Sequence, residues 1–396
     1  MTQNQPVQTN DKKSNTADRI ALIVGVALVI VLLAFQWFQS VMSEPVAKMP
    51  PIKMPNPNAY DLYRKAFDSI QNLKEVETLS YGNANRLRFN RDIALDQAQK
   101  LLDQNRKPLE LLRQGMSYDF VEPIPDRYFK SPSYKIRMSA LIKLLVLDAV
   151  VRTKRLDWQG IVSDELDRMQ FIKSVVNSDI SNTEMMPLIS QSFLFFSQES
   201  PIDHLTVAQC REDIARLESI LANERPLGEL LTANKWRTLL KMEAVFNELN
   251  GLELESGETT KSWFGDIPSQ DLIAYKSQSR RSVMQQYLRD TDSSISALSQ
   301  NIGGFGFNGG MRYGSFDNYF TIDPQNLKIV RNSGRFEKTR LLLMLAIHAY
   351  KLEHGDFPTS LKALAPEYLH RLPEDPASSG KTVRDSQFFD LLKKKK

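Results

Sequence analysis

The sequence predicts a mainly α protein: an N-terminal transmembrane helix, then an array of helical hairpins, then a small C-terminal helix–turn element. Three observations carry this. Residues 20–38 are almost wholly apolar. Most of the chain beyond them repeats apolar residues at spacings of three and four, the period of a helix, and strand-type alternation is rare. A glycine-rich break at residues 303–314 separates the array from one last strong helix.

The first element is Ile20 to Phe38, IALIVGVALVIVLLAFQWF, with Gln36 its one strongly polar residue. At about 1.5 Å per residue this helix is about 28 Å long, close to the ~30 Å hydrocarbon core of a bilayer. A lone segment can satisfy its backbone there only as a helix. Trp37 and Phe38 lie at one end, where aromatic rings favour the interface. A cleaved signal peptide is the rival reading, but its apolar region is about 7–15 residues, and the nearest cleavage candidate, Val41-Met42-Ser43, is poor. Lys12, Lys13 and Arg19 precede the helix, while Lys48 and Lys53 come after it. That imbalance favours a cytoplasmic N-terminus, with the bulk of the chain outside the cytoplasm at the inner membrane. Ala21 and Gly25 form a small-xxx-small pair, read as dilution of an apolar helix rather than a packing motif.

Around this span the expected organisation is a disordered polar tail (1–19), the transmembrane helix (20–38) and a proline-rich linker (39–57). An α-helical domain (58–300), a glycine–aromatic connector (301–323), a helical segment (324–381) and a basic tail (382–396) complete it. Pro45, Pro50, Pro51, Pro55 and Pro57 make the linker an extended spacer. Asn58, with Asp61 three residues on, caps the first helix, and Tyr63, Phe67, Ile70 and Leu73 form its stripe. Residues 91–115 read as helix split by Pro108. Residues 118–132 read as a packed loop, 133–156 as a helix and 158–176 as its antiparallel partner. Further helices are expected at 184–198, 206–223, 227–249 and 270–299. No repeat period emerges.

Composition narrows the chemistry. The chain has 396 residues, enough for two or three domains, and is 42% hydrophobic and 25% charged. Its 51 basic and 47 acidic residues leave a formal net charge of +4, too little to argue for nucleic acid. A single cysteine, Cys210, excludes a disulfide framework and Cys-rich metal centres, and four histidines leave little for a His-based one. No cofactor and no metal site are expected. Gly304, Gly306 and Gly309 spell G-x-G-x-x-G, but the motif has no strand before it and no helix after it, so a loop is the better reading. Gly380-Lys381-Thr382 lacks the upstream glycine of a phosphate loop, Asp375 standing in its place. H-E-x-x-H, G-x-S-x-G and C-x-x-C are absent. His348 reads as a core histidine with one hydrogen bond, His354 and Asp356 as turn residues, and Cys210 as a structural thiol. Lys393 to Lys396 read as a solvated tail. Phe305, Phe307 and Tyr313 are the candidate interaction surface, with a packed connector as the alternative.

The last strong helix, Arg335 to Glu353, is apolar nearly all round from Thr339 to Leu352 and too short to span a bilayer. Gly355 suits its left-handed cap, and Phe357 is expected to fold back on it. The run AIHAYKLEHGDFPTSLKALAPEYLHRLPEDPASSGK, Ala346 to Lys381, resembles the start of the soluble domain of the major pseudopilin of type II secretion. In that family a helix ending in Tyr-x-x-x-x-Gly-x-Tyr/Phe-Pro leads to a Leu-rich turn and a Pro-x-Asp-Pro loop. The layout also resembles bacterial envelope proteins with one N-terminal anchor, a long helical region and this C-terminal element. The departures are specific. The apolar helix carries Arg19 before it and no Glu within it, so the chain is not itself a pilin subunit. The family's β-sheet and calcium loop have no counterpart in Thr382-Val383-Arg384-Asp385 and the lysine tail, so no metal site is carried over. The resemblance implies a non-catalytic interaction or scaffold protein of the cell envelope, linked to secretion or surface assembly, with an unidentified protein partner. The alternative is an envelope-tethered hydrolase with a site of scattered histidines and carboxylates. A polar pocket holding His348 or His354 with two carboxylates would favour that alternative.

Overall fold

The computed structural model describes residues 14–43, 50–78, 95–125, 127–130, 134–178, 200–299, 324–376 and 381–383. Over these residues the chain is mainly helical, with twelve α-helices and one two-stranded antiparallel sheet. It divides into two compact units, Met1–Pro50 and Pro51–Lys396.

The first unit contains α1, Ser14–Ser43. Its described side chains run over residues 20–36, and every one is exposed. Among the described residues, no helix is long and apolar enough to cross a membrane, so the transmembrane span expected at Ile20 to Phe38 is not shown by the structure.

The second unit opens with α2 (Ala59–Asp68). The Asn58 side chain accepts the Tyr60 N–H at 3.1 Å, as its capping position requires. It also donates to the Val121 carbonyl at 2.7 Å, so the cap ties α2 to the packed loop at 118–132. Tyr63 on α2 is fully buried, stacked on Phe120 at 5.5 Å and edge-on to Phe171 at 4.8 Å. The short α3 (Leu73–Thr78) comes after it. Next come α4 (Leu95–Gln104) and α5 (Arg106–Gly115). The break between them is at Asn105, not at Pro108, which sits in the first turn of α5 where its missing N–H costs nothing. Asn105 is fully buried and makes the break: its amide donates to the Leu101 carbonyl at 2.8 Å and its oxygen accepts the Gln71 N–H at 2.9 Å.

Gly115 ends α5 against the Tyr63 ring. A Cβ at Gly115 would lie 2.4 Å from Tyr63 Cε1, so the ring would have to move within a filled core. Gly115→Ala is therefore expected to destabilise the protein by about 1–3 kcal/mol, despite alanine's better helix propensity. Denaturant unfolding of the two proteins checks this, and an unchanged midpoint would mean that the ring yields freely.

A hairpin of α6 (Tyr134–Lys154) and α7 (Trp158–Ser178) turns through Leu156 at φ 59°. The helix expected at 184–198 lies outside the described residues. α8 (Val207–Ala222) starts at a capping box in which Thr206 and Gln209 satisfy each other's backbone N–H. α9 (Leu227–Leu249) starts after Pro226. Then comes an element that the sequence periodicity does not predict, the hairpin β1 (Thr259–Ser262) and β2 (Gly265–Pro268), in register Thr259 opposite Pro268. Its turn buries Phe264, stacked on Tyr128 at 5.3 Å, and Trp263, whose Nε1 donates to Glu122 at 3.1 Å. The helix expected over 270–299 is two helices, α10 (Ser269–Lys276) and α11 (Arg280–Ser299). The last helix, α12 (Pro324–His354), begins eleven residues earlier than expected.

The buried apolar residues form two clusters that meet along α7. One joins α2, α4, α5, α6, the 120–129 loop, the C-terminal halves of α7 and α9, the β-hairpin and α10. The other joins Ile161 to Met169 of α7 with α8, α12 and residues 361–369. α12 thus belongs to the same unit as the array and packs chiefly on α8. It ends at Gly355, φ 83°, as expected. Phe357 returns to it by taking the Lys351 ammonium on its ring at 4.7 Å, while remaining about half exposed. A 3₁₀ turn (Leu361–Leu364) and a bridge between Glu374 and Thr382 complete the element.

Candidate functional site

Charged residues converge where α5, α6, α7 and α8 meet. Arg113, on α5, donates Nε to Asp167 at 2.7 Å, and its terminal nitrogen reaches Asp164 at 2.7 Å and Asp148 at 2.9 Å. Arg152, one turn beyond Asp148 on α6, contacts Asp157 at 2.6 Å and Asp164 at 2.9 Å. Arg216 of α8 holds the other oxygen of Asp167. The Asp164 side chain is 1% exposed, Asp167 9% and Asp148 15%. These carboxylates are out of water and depend on the guanidiniums for their partners.

Three arginines serve four aspartates here, leaving one negative charge unmatched. Burial, reinforced by Asp148, pushes the Asp164 carboxyl up to about 8 against the pull of Arg152 and Arg113. It therefore holds a proton at neutral pH. Burial works against the charge on Arg113, yet its bonds to Asp148 and Asp167 keep it above the usual guanidinium value.

In front of the network a groove of about 310 Å³ runs between α4, α5 and α6. It is lined by Arg106, Arg113, Arg152 and Arg155 together with Asp103, Glu110, Asp148 and Asp157, and by Leu102, Leu109 and Val151. Such a mosaic can take up a polypeptide carrying both signs of charge. None of the four histidines lines it.

The sequence-derived candidates fall elsewhere. Phe305, Phe307 and Tyr313 lie outside the described residues, as do the G-x-G-x-x-G glycines and the terminal lysines. His348 is half-buried, with Nε2 3.1 Å from the Leu205 carbonyl, so the expected hydrogen bond is present at the edge of the core rather than within it. His354 stacks on Tyr350 at 4.1 Å, with its Nδ1 3.1 Å from the Tyr350 carbonyl. Cys210 is buried, and burial together with Asp213 pushes its thiol up to about 12, out of reach of thiolate chemistry. Among the described residues no group of three or more His, Cys, Asp or Glu side chains could hold a metal ion.

Sequence reasoning missed the charge network. A signal existed: Asp148 and Arg152 stand four apart, and Asp164, Asp167 and Arg168 interrupt the buried stretch of α7. Comparison with protein-family models, curated proteins and solved structures finds no match.

Proposed function

We propose that this chain is a single-pass protein of the bacterial inner membrane, held in the bilayer by Ile20 to Phe38, whose helical body acts by binding a protein partner and not by catalysis. The observation that carries the reading is the surface of α1. Residues 20–36 are exposed around the whole helix, and all but Gln36 are apolar or glycine. Water penalises such a surface at about 25 cal/mol per Å² of apolar area, and lipid removes the penalty. The resemblance of the sequence Ala346 to Lys381 to the pseudopilin motif adds the second part of the reading. On that resemblance the partner belongs to secretion or surface-assembly machinery, and the excess of Lys12, Lys13 and Arg19 over Lys48 and Lys53 puts the bulk of the chain outside the cytoplasm. The mixed-charge groove offers such a partner a surface.

Alkaline carbonate extraction tests the anchor. The full chain is expected in the membrane pellet, and a variant lacking residues 20–38 in the supernatant. Release of the full chain by carbonate would overturn the reading. A reporter fused after Lys396 and active in the cytosol would reverse the orientation.

A further inference from the structure

A second charged cluster, where α8 ends beside α7 and α12, has the opposite imbalance. At its centre is Glu224. Its Oε1 takes the Lys338 ammonium, and its Oε2 lies 3.5 Å from Arg335 Nε. Arg335 also reaches Glu374 at 4.0 Å. Arg331, one turn before Arg335, donates to the Arg225 carbonyl, and the Arg225 guanidinium donates to the Asn177 carbonyl at 3.5 Å. Lys173 of α7 lies within electrostatic range of Lys338 and Glu224 and is half-buried. Its ammonium makes no hydrogen bond or ion pair among the described residues.

Four cations, Lys173, Arg331, Arg335 and Lys338, therefore share two carboxylates, one of them on the exposed Glu374. Cations beside a helix C-terminus offset its dipole, and Arg331, bonded to a carbonyl just beyond α8, does so. That role leaves Lys173 unexplained, because it bonds to no carbonyl. Burial and the Lys338 charge disfavour its ammonium form beyond what Glu224 returns, and for Arg331 burial, with a smaller push from Arg335, outweighs the pull of Glu224. Crowded like charges at a partly desolvated site raise the free energy of the unliganded protein and are relieved by an anion. Two guanidiniums for bidentate contact, with two ammoniums as point charges, match a tetrahedral oxyanion of more than one negative charge.

We propose that Lys173, Arg331, Arg335 and Lys338 form a binding site for a phosphate-class oxyanion. Its source is either a free phosphate or the phosphomonoester headgroup of a lipid. The site rests on residues 173–338 and stands whether or not α1 spans a membrane.

The test monitors thermal unfolding of the full chain in neutral detergent. Inorganic phosphate is expected to raise the midpoint by several degrees over chloride at matched ionic strength, increasing with the logarithm of concentration. Micelles doped with phosphatidic acid form the second arm. A shift there but not with phosphate assigns the site to lipid headgroups, and a shift with phosphate assigns it to the free ion. Lys173→Met breaks no bond in the fold. Without anion its midpoint is expected above that of the wild type, and its anion-induced shift is expected to fall below about half. Arg335→Gln should likewise lose the shift. The proposal is overturned if neither arm moves the wild type more than chloride. It is equally overturned if Lys173→Met keeps more than about half the shift, or if its anion-free midpoint is at or below the wild type.

Discussion

Arg113→Met is expected to lower the unfolding free energy by about 2–4 kcal/mol. Removing one partner of a buried ion pair costs about 3–5 kcal/mol, because the abandoned charge stays out of water. The lower range applies because the Arg113 side chain is 35% exposed, so solvent screens part of the loss. Methionine keeps the length of the aliphatic stem, so the loss reports charge rather than packing. Guanidinium chloride unfolding monitored by circular dichroism measures the difference. Asp148→Asn in the same background should recover part of it, since it removes a carboxylate that Arg113 served, whereas Asp164, already protonated at neutral pH, would give no such recovery. A loss under about 1 kcal/mol would mean that the three aspartates find other partners.

The second large effect is with pH. Asp164 has a folded-state pKa of about 8, against about 3.9 for an unperturbed aspartate. The native state thus binds this proton more tightly than the unfolded chain. The stability it contributes is complete below about pH 4 and is lost as pH climbs through about 8. Between about pH 6 and pH 9 the loss from this group alone should be roughly 2–3 kcal/mol. Asp213 is pushed up to about 6 by burial and acts in the same direction, but most of its contribution is gone before that window opens. Asp164→Asn cannot ionise and should flatten the slope across the window. A wild type equally stable at both ends would mean that Arg113 and Arg152 hold Asp164 ionised throughout.

The helices that sequence located best are those whose ends are written locally. Thr206 with Gln209, Pro226 before α9, Asn58 before α2 and Gly355 after α12 each fix a boundary through backbone groups within four residues. The misses share a non-local cause. The break before α5 depends on Asn105 reaching residue 71, which no helical periodicity encodes. The first eleven residues of α12 are mostly polar and carry no stripe. The hairpin at 259–268 is held by Trp263 and Phe264 packing on residues more than a hundred positions upstream. The charge network draws on four helices, and its members span residues 113 to 216. Pairings across such distances are set by packing and cannot be read from residue types alone.

The seam between α8 and α12 sets an order on biosynthesis. Arg211 meets Glu353 across 142 positions of chain, so half of the second core waits for residues made near the end of translation. Until then Ile214, Leu217 and Ile220 lack the surface that finally covers them, and a chain released early would present a sticky helical face to its neighbours. Premature termination anywhere before α12 should therefore surface in a cell as proteolysis or inclusion bodies rather than as a shortened, working product.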